Sequence, residues 1–316
     1  MFSVIFPGQG SQRVGMGREL VDSYSVCRET LQEADDALGE SISRLCLDGP
    51  EDTLRLTENT QPAILAVSVA IYRLLLSRGI EPSYMAGHSL GEYSAHVAAG
   101  TLGYADALRT VRRRGRYMQD AVPVGEGAMA AIQGLDEKSV ERVCTEAEEG
   151  DIVSAANINA PGQVAIAGHT KAVERAGLLA REQGARRVIP LPVSAPFHCA
   201  LMKPAEDLLA PELRSLVVSH PSVPVVANVD ALPKETGEDS VEALIRQVSA
   251  PVRWEEVVRR LIADGATAFV EVGPGRVLSG LIKRTDRGVL ITNVEDVASL
   301  ESAESALSSL VEKSGG

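Results

Sequence analysis

Apolar positions along the chain keep two rhythms, and the changes between them predict the elements. "FSVIF" is a short apolar run stopped by Pro7 and Gly8, the pattern of a buried strand. Helical spacing follows from Met16 to Leu38. "QPAILAVSVAIYRLLLSRG" predicts one long helix with a proline in its first turn and Gly79 at its end. It is apolar around most of its circumference, so it belongs inside a core. "SYMAGHS" reads as a brief strand, "EYSAHVAAG" as the next helix and "YADALRTVRRRGRYMQDAV" as another.

From about Gly125 the rhythm changes. "GAMAAIQG" is a strand, and "DEKSVERVCTEAEEG" is an amphipathic helix opened by Asp136. "DIVSAANI" and "QVAIAG" are strands joined by the turn sequence "NAPG". "TKAVERAGLLAREQG" is a helix and "ARRVIPLPV" a strand. This β-α-β-β-α-β order predicts a ferredoxin-like small subdomain inserted over residues 125–195. Strand-helix alternation then resumes through "PVVANV", "VEALIRQV", "WEEVVRRLIADG", "ATAFVEVG", "RVLSGLIKR" and "GVLITNV". The expected fold is therefore α/β. Residues 1–124 and 196–316 supply a mostly parallel sheet covered on both faces, and the insert stands beside it.

With 316 residues the chain has room for a large and a small subdomain. Aromatic residues make up only 3%, so the core rests on Ala, Val, Leu and Ile. A net charge of −12 speaks against a nucleic-acid partner, which needs surplus Lys and Arg, while leaving room for a local basic pocket. Cys27, Cys46, Cys144 and Cys199 form no CxxC pair, which suits a reducing compartment. "MFSVIFPGQG" has no basic segment ahead of its apolar run, and the longest apolar stretch is interrupted by an arginine. The expectation is a cytoplasmic protein with no membrane partner.

One stretch carries chemistry directly. Gly87-His88-Ser89-Leu90-Gly91 lies where a strand should meet a helix, the context of a nucleophile elbow. A serine needs a base. Of the five histidines, His88 adjoins the serine and should diverge from it, and His96 points along the same helix. His169 and His220 stand in ordinary loops. His198, in "APFHCALMKP", sits at a second junction before a helix and is the best candidate. A triad would want an acid between Ser89 and His198; Asp136 and Asp151 lie there, but in the insert rather than at the end of a core strand, so a dyad with a backbone carbonyl orienting the imidazole stays open beside the triad.

The arginine run Arg109, Arg112, Arg113, Arg114 and Arg116 should be mostly a solvated face. One member turned inward would need an anion, such as a substrate carboxylate. "FPGQGSQ" fits neither GxGxxG nor a P-loop, but its turn can present the Gln9 N–H to an oxyanion. No spacing of His, Cys and carboxylates suits a metal. On these residues alone the acyl acceptor stays open. An esterase or thioesterase would share Ser89 and His198, and a non-catalytic carrier-binding module would form no acyl-enzyme.

"FPGQGSQ", "ENTQPA", "GHSLGEY", "RRGRYMQ", "GAMAAI", "NAPGQVAIAG", "APFHCALMKP" and "EVGPGRVL" follow one another from Phe6 to about Arg284. In that order they resemble the malonyl-CoA:acyl carrier protein transacylases, part of the acyltransferase family of fatty-acid and polyketide synthesis. The resemblance implies an α/β-hydrolase-like large subdomain with a ferredoxin-like small one. It implies Ser89 as acyl-accepting nucleophile and His198 as general base, oriented by a carbonyl at Gln247. The N–H groups of Gln9 and Leu90 match the oxyanion hole, with Leu90 also part of the pocket wall. Arg114 matches the arginine that pairs with the malonate carboxylate, while His88 and Asn159 match residues lining the site. In related polyketide domains a Phe at the position of Phe197 goes with malonyl rather than methylmalonyl. Malonyl-CoA and acyl carrier protein are the implied partners, with no cofactor and a monomeric enzyme. Carrier proteins of this kind are acidic, which makes Arg186, Arg187, Lys283 and Arg284 candidates for a landing patch.

Overall fold

The computed structural model describes residues 1–193 and 195–314. β1 (Phe2–Phe6) is buried along nearly its whole length, as its unbroken apolar run requires. After it come α1 (Arg18–Ser23), α2 (Ser25–Leu38), α3 (Ile42–Asp48), α4 (Glu51–Leu54) and α5 (Thr57–Ser77). β2 (Tyr84–Gly87), α6 (Leu90–Ala98) and α7 (Tyr104–Asp120) complete the first part. β3 (Gly127–Gln133), α8 (Glu137–Ala147), β4 (Val153–Ala160), β5 (Gln163–His169), α9 (Thr170–Glu182) and β6 (Arg187–Pro190) follow. The remainder is α10 (Lys203–Ser215), β7 (Val225–Val226), β8 (Pro233–Lys234), α11 (Gly237–Gln247), α12 (Trp254–Ala263), β9 (Ala268–Val272), α13 (Val277–Thr285), β10 (Leu290–Val294) and α14 (Val297–Ser314).

Two sheets organise these elements. The larger has the order β10-β9-β1-β2-β7-β8, parallel throughout except at the β7–β8 pair. The smaller has the order β4-β5-β3-β6 and is wholly antiparallel. That order is the one a β-α-β-β-α-β chain gives when each half folds as a split β-α-β unit. All four of its strands come from the 127–190 stretch, and β5 returns from β4 through Pro161 and Gly162, the latter at φ 69°.

α5 is long and apolar enough to cross a membrane by length and composition, yet it is sunk in the core against α2 and α7. Parallel strands direct their C-terminal ends to one edge of the sheet, and ligand sites in such folds gather there. β1 and β2 are neighbours in register, so Gly8 and Ser89 emerge side by side at that edge.

Three expectations need correction. The helical stretch from Met16 to Leu38 is two helices, because Tyr24 takes an extended backbone (φ −126°, ψ 125°). The Arg28 guanidinium donates to the Val21 and Asp22 carbonyls and so seals the end of the first helix. The long helix opens at Thr57 rather than Gln61, which places Pro62 in its second turn. Its early start is anchored by Asn59 Nδ2 on the Thr53 carbonyl and Thr60 Oγ1 on the Leu54 carbonyl. The strand expected at "PVVANV" shrinks to Val225 and Val226. Asn228 leaves the ladder because its groups are claimed by the elbow and by Glu92.

Candidate active site

β2 ends at Gly87 and α6 begins at Leu90, leaving Ser89 between them at φ 53° and ψ −108°. This is a strained backbone for a non-glycine residue. The flanking glycines are steric necessities. A Cβ on Gly87 would lie 1.9 Å from the Gly91 carbonyl carbon, and one on Gly91 would lie 2.0 Å from the Phe6 carbonyl oxygen. Asn228 braces the turn: its Oδ1 accepts from the Ser89 N–H at 2.7 Å and its Nδ2 donates to the Gly87 carbonyl at 2.7 Å. The Ser89 hydroxyl is thereby set clear of both elements.

His198 meets it. Ser89 Oγ and His198 Nε2 are 2.7 Å apart, and His198 Nδ1 lies 2.9 Å from the Gln247 carbonyl. A carbonyl only accepts, so Nδ1 carries the hydrogen and Nε2 is free to take the serine proton. His198 also has positive φ, 59°, so Ser89 and its partner are both held in strained backbone. Burial, with the nearby positive Arg114, pushes the imidazole down to about 3 and keeps it neutral.

Of the arginine run, only Arg114 turns inward. Arg112, Arg113 and Arg116 pair with Glu40, Glu212 and Glu58, and Arg109 with Asp106. Arg114 is 1% exposed and faces two neutral amides, its Nη1 on Gln61 Oε1 and its Nη2 on Gln247 Oε1, both at 2.8 Å. Nη2 also reaches Ser89 Oγ at 3.3 Å, and the face of Tyr93 lies 5.3 Å from the guanidinium. Among the described residues no carboxylate forms an ion pair with it, and its Nε–H has no partner. A buried cation that no described carboxylate contacts, its fork aimed at a serine hydroxyl, is suited to receive an anion.

Gln9, Gln61, His88, Ser89, Arg114, Met118, Met129, Asn157, Phe197 and His198 are among the residues lining a cavity of about 130 Å³. A water molecule in the liquid occupies about 30 Å³, so the cavity suits a short acyl group. Beside it, and sharing Gln9 and Val193 with it, opens a wider cleft of about 720 Å³ edged by Arg55, Thr57, Arg116 and Gln119.

Not every candidate lines the cavity. Leu90 packs its side chain into the main core, so only its backbone can serve the site. Asn159 stands behind His88, whose Nε2 lies 2.8 Å from Asn159 Oδ1; Asn157, two residues earlier on β4 and across an irregularity in its pairing with β5, reaches the cavity instead. His88 diverges from the serine as expected, lying edge-on to Trp254, and burial lowers its pKa. Gln247 supports the site from behind, with both its carbonyl and its side chain engaged. Gln61, Glu92 and Asn228 were missed as functional residues. Gln61 and Glu92 lie inside the quoted motifs "ENTQPA" and "GHSLGEY", and Asn228 at the end of a predicted strand, so position was the available signal.

Known proteins resemble the chain over nearly its whole length. A family model described as an acyl transferase domain matches residues 3–306. A malonyl CoA-acyl carrier protein transacylase of Escherichia coli (strain K12) is 52% identical over 284 residues, 90% of this chain and 92% of its own. The crystal structure of an acyl carrier protein S-malonyltransferase from Vibrio cholerae O1 biovar eltor str. N16961 superposes with a TM-score of 0.94 at 49% identity, covering 96% of this chain and 99% of that one. A malonyl-transacylase solved in complex with its type II PKS acyl-carrier protein gives a TM-score of 0.94 at 49% identity, covering 96% and 98%. A serine elbow with its histidine partner and a buried arginine, on a chain matched almost end to end, place this protein in the acyl transferase domain family.

Proposed function

We propose that the protein moves a malonyl group from malonyl-CoA to the phosphopantetheine thiol of acyl carrier protein through a malonyl-Ser89 ester. The observation that carries this reading is Arg114, a buried guanidinium with no ion-pair partner among the described residues, 3.3 Å from the Ser89 hydroxyl. An esterase for uncharged acyl groups has no use for it. The relatives named for malonyl transfer, and the neighbour solved with its carrier protein, support the same substrates.

The steps follow from the contacts. The malonate carboxylate takes the guanidinium fork. His198 Nε2 accepts the Ser89 proton as Oγ attacks the thioester carbon. The developing oxyanion is received by the N–H groups of Gln9 and Leu90; Leu90 opens α6, where backbone donors lack intrahelical partners. The carbon–sulfur bond breaks, and the leaving CoA thiolate takes the proton from His198. In the second half the pantetheine thiol gives its proton to His198, its sulfur attacks the ester, and Ser89 Oγ recovers the proton. Each proton and charge has a protein group to hold it, so the mechanism calls for no metal or cofactor. Phe197 walls the cavity and favours malonyl over a branched methylmalonyl group. The enzyme acts in the cytoplasm as a monomer.

Intact-protein mass spectrometry after brief exposure to malonyl-CoA tests this. The wild type should carry one malonyl adduct, Ser89→Ala none, and addition of holo carrier protein should move the adduct to the carrier. No adduct on the wild type would leave a carrier-binding module without catalysis. An adduct lost to water as fast as to the carrier would make the protein a hydrolase.

A further inference from the structure

Glu92 is fully buried on α6, three residues beyond the nucleophile, and the steps above do not use it. Its Oε2 accepts from Gln247 Nε2 at 2.8 Å and from the Asn228 N–H at 3.0 Å, while its Oε1 has no partner among the described residues. These two donors belong to the residues that build the site. Asn228 braces the elbow. Gln247 holds His198 with its carbonyl and Arg114 with its side-chain oxygen.

An amide side chain has an accepting end and a donating end, and only one orientation of Gln247 suits its surroundings. As placed, Nε2 spends its two hydrogens on the Ser89 carbonyl at 2.9 Å and on Glu92, leaving Oε1 for Arg114. Turned over, the NH2 would face the guanidinium, donor against donor, and the oxygen would face two acceptors. We propose that Glu92 is a positioning residue for acyl-group selection: its carboxylate locks the Gln247 amide with oxygen toward Arg114, and so fixes the guanidinium for the substrate carboxylate. The other charged and titratable groups acting on Glu92 are Arg114, which favours its carboxylate, and Asp230, which opposes it; the Tyr93 hydroxyl adjoins both Glu92 and Arg114.

This rests on the malonyl-transfer reading, and the test separates the two. The quantity to measure is the ratio of kcat/KM for malonyl-CoA to that for propionyl-CoA, of equal acyl length but uncharged. If the wild type shows no preference for malonyl, the site reading fails. Given that preference, Glu92→Met, which keeps the volume but removes the acceptor, should lower the ratio about 10- to 100-fold, the span of one hydrogen bond to a charged group. Glu92→Gln keeps an accepting oxygen and should hold the ratio within a few-fold of wild type. Gln247→Met should lower the ratio as Glu92→Met does, and the double variant should lose no more than Gln247→Met alone. A Glu92→Met enzyme that loses both substrates equally, or neither, overturns the proposal, since a purely structural role would leave the ratio unmoved. Should Glu92→Met not fold, Glu92→Gln decides: a preserved ratio supports the proposal and a collapsed one overturns it.

Discussion

Arg114 shows what a single residue contributes and how far sequence identifies it. Five arginines crowd one helix, and charge alone would make them a solvated face. The helical repeat decides otherwise: Arg114 shares the buried stripe of α7 with Val111 and Met118, and its neighbours in the run pair with acids outside. The resemblance singled out Arg114, but its unpaired state was illegible, because its amide partners lie 53 and 133 residues away. On the proposed reading, truncating it removes the receptor for the substrate carboxylate and leaves a cavity beside the serine. Arg114→Ala should therefore cut kcat/KM for malonyl-CoA by about 100-fold or more, the scale of a lost buried charge contact. Propionyl-CoA has no carboxylate to lose and should gain relative to malonyl. Parallel initial-rate measurements with the two thioesters check this, and unchanged selectivity would remove Arg114 from substrate recognition.

At the level of elements, the junctions carry the site. Ser89 stands between β2 and α6, Gln9 follows β1, and Asn228 follows β7. The glycine pattern announced the first junction, and the backbone confirms its steric logic. Asn228 was hidden because an apolar strand ending in Asn carries no local mark of a contact 139 residues back along the chain. For the same reason the sequence overstated β7: the run is apolar from Pro224 to Ala227, but tertiary hydrogen bonds at Asn228 end the ladder after two residues. The break at Tyr24 escaped notice because helical spacing continues in phase across it. Asn228→Ala would strip partners from the Ser89 N–H and the Gly87 carbonyl in a buried strained turn. It should cost about 2–4 kcal/mol of stability, at one to two for each orphaned group. The loss should appear in kcat for both malonyl-CoA and propionyl-CoA, because the serine moves while Arg114 stays. Denaturant midpoints and paired kinetics test this, and a selective loss of malonyl would assign Asn228 to substrate binding instead.

Over the whole molecule, charge governs both docking and acid stability. A chain of net charge −12 that receives an acidic carrier needs local positive ground. Arg186, Arg187, Lys283 and Arg284 are all exposed, but the sheet order separates them. Arg187 lies on β6, at one edge of the small sheet, whereas α13 packs against β4 at the other, three strand spacings or about 14 Å away. The two pairs, Arg186 with Arg187 and Lys283 with Arg284, are separate candidate pads. Reversing each pair separately should raise the carrier KM for the pad in use and leave the CoA half-reaction unchanged; if neither does, the carrier lands elsewhere.

Acid stability follows from buried groups. His96 is fully buried with neither ring nitrogen partnered among the described residues, and burial pushes it, like His198, down to about 3. Below about pH 6.5 both bind protons in the unfolded chain but not in the folded one, so acid favours unfolding. Glu92 acts in the opposite sense. Burial raises its folded pKa from 4.5 to about 7, so between those values the folded state holds the extra proton. From these three groups, stability should fall by about 1.4 kcal/mol per pH unit from pH 6.5 to 4.5, where two histidine protons oppose one carboxyl proton. Through the same three groups the fall should steepen to about 2.8 kcal/mol per unit from there toward pH 3, where only His96 and His198 count, and His88, whose pKa burial also lowers, acts in the same sense. His96→Leu isolates one term, since its ring makes no hydrogen bond that leucine would forfeit. Urea unfolding across pH 4–8 should show the variant less acid-sensitive than wild type by about 1.4 kcal/mol per unit below pH 6.5. Parallel stability curves for the two proteins would mean that His96 finds a proton acceptor or water in the folded state, and that the acid lability arises elsewhere.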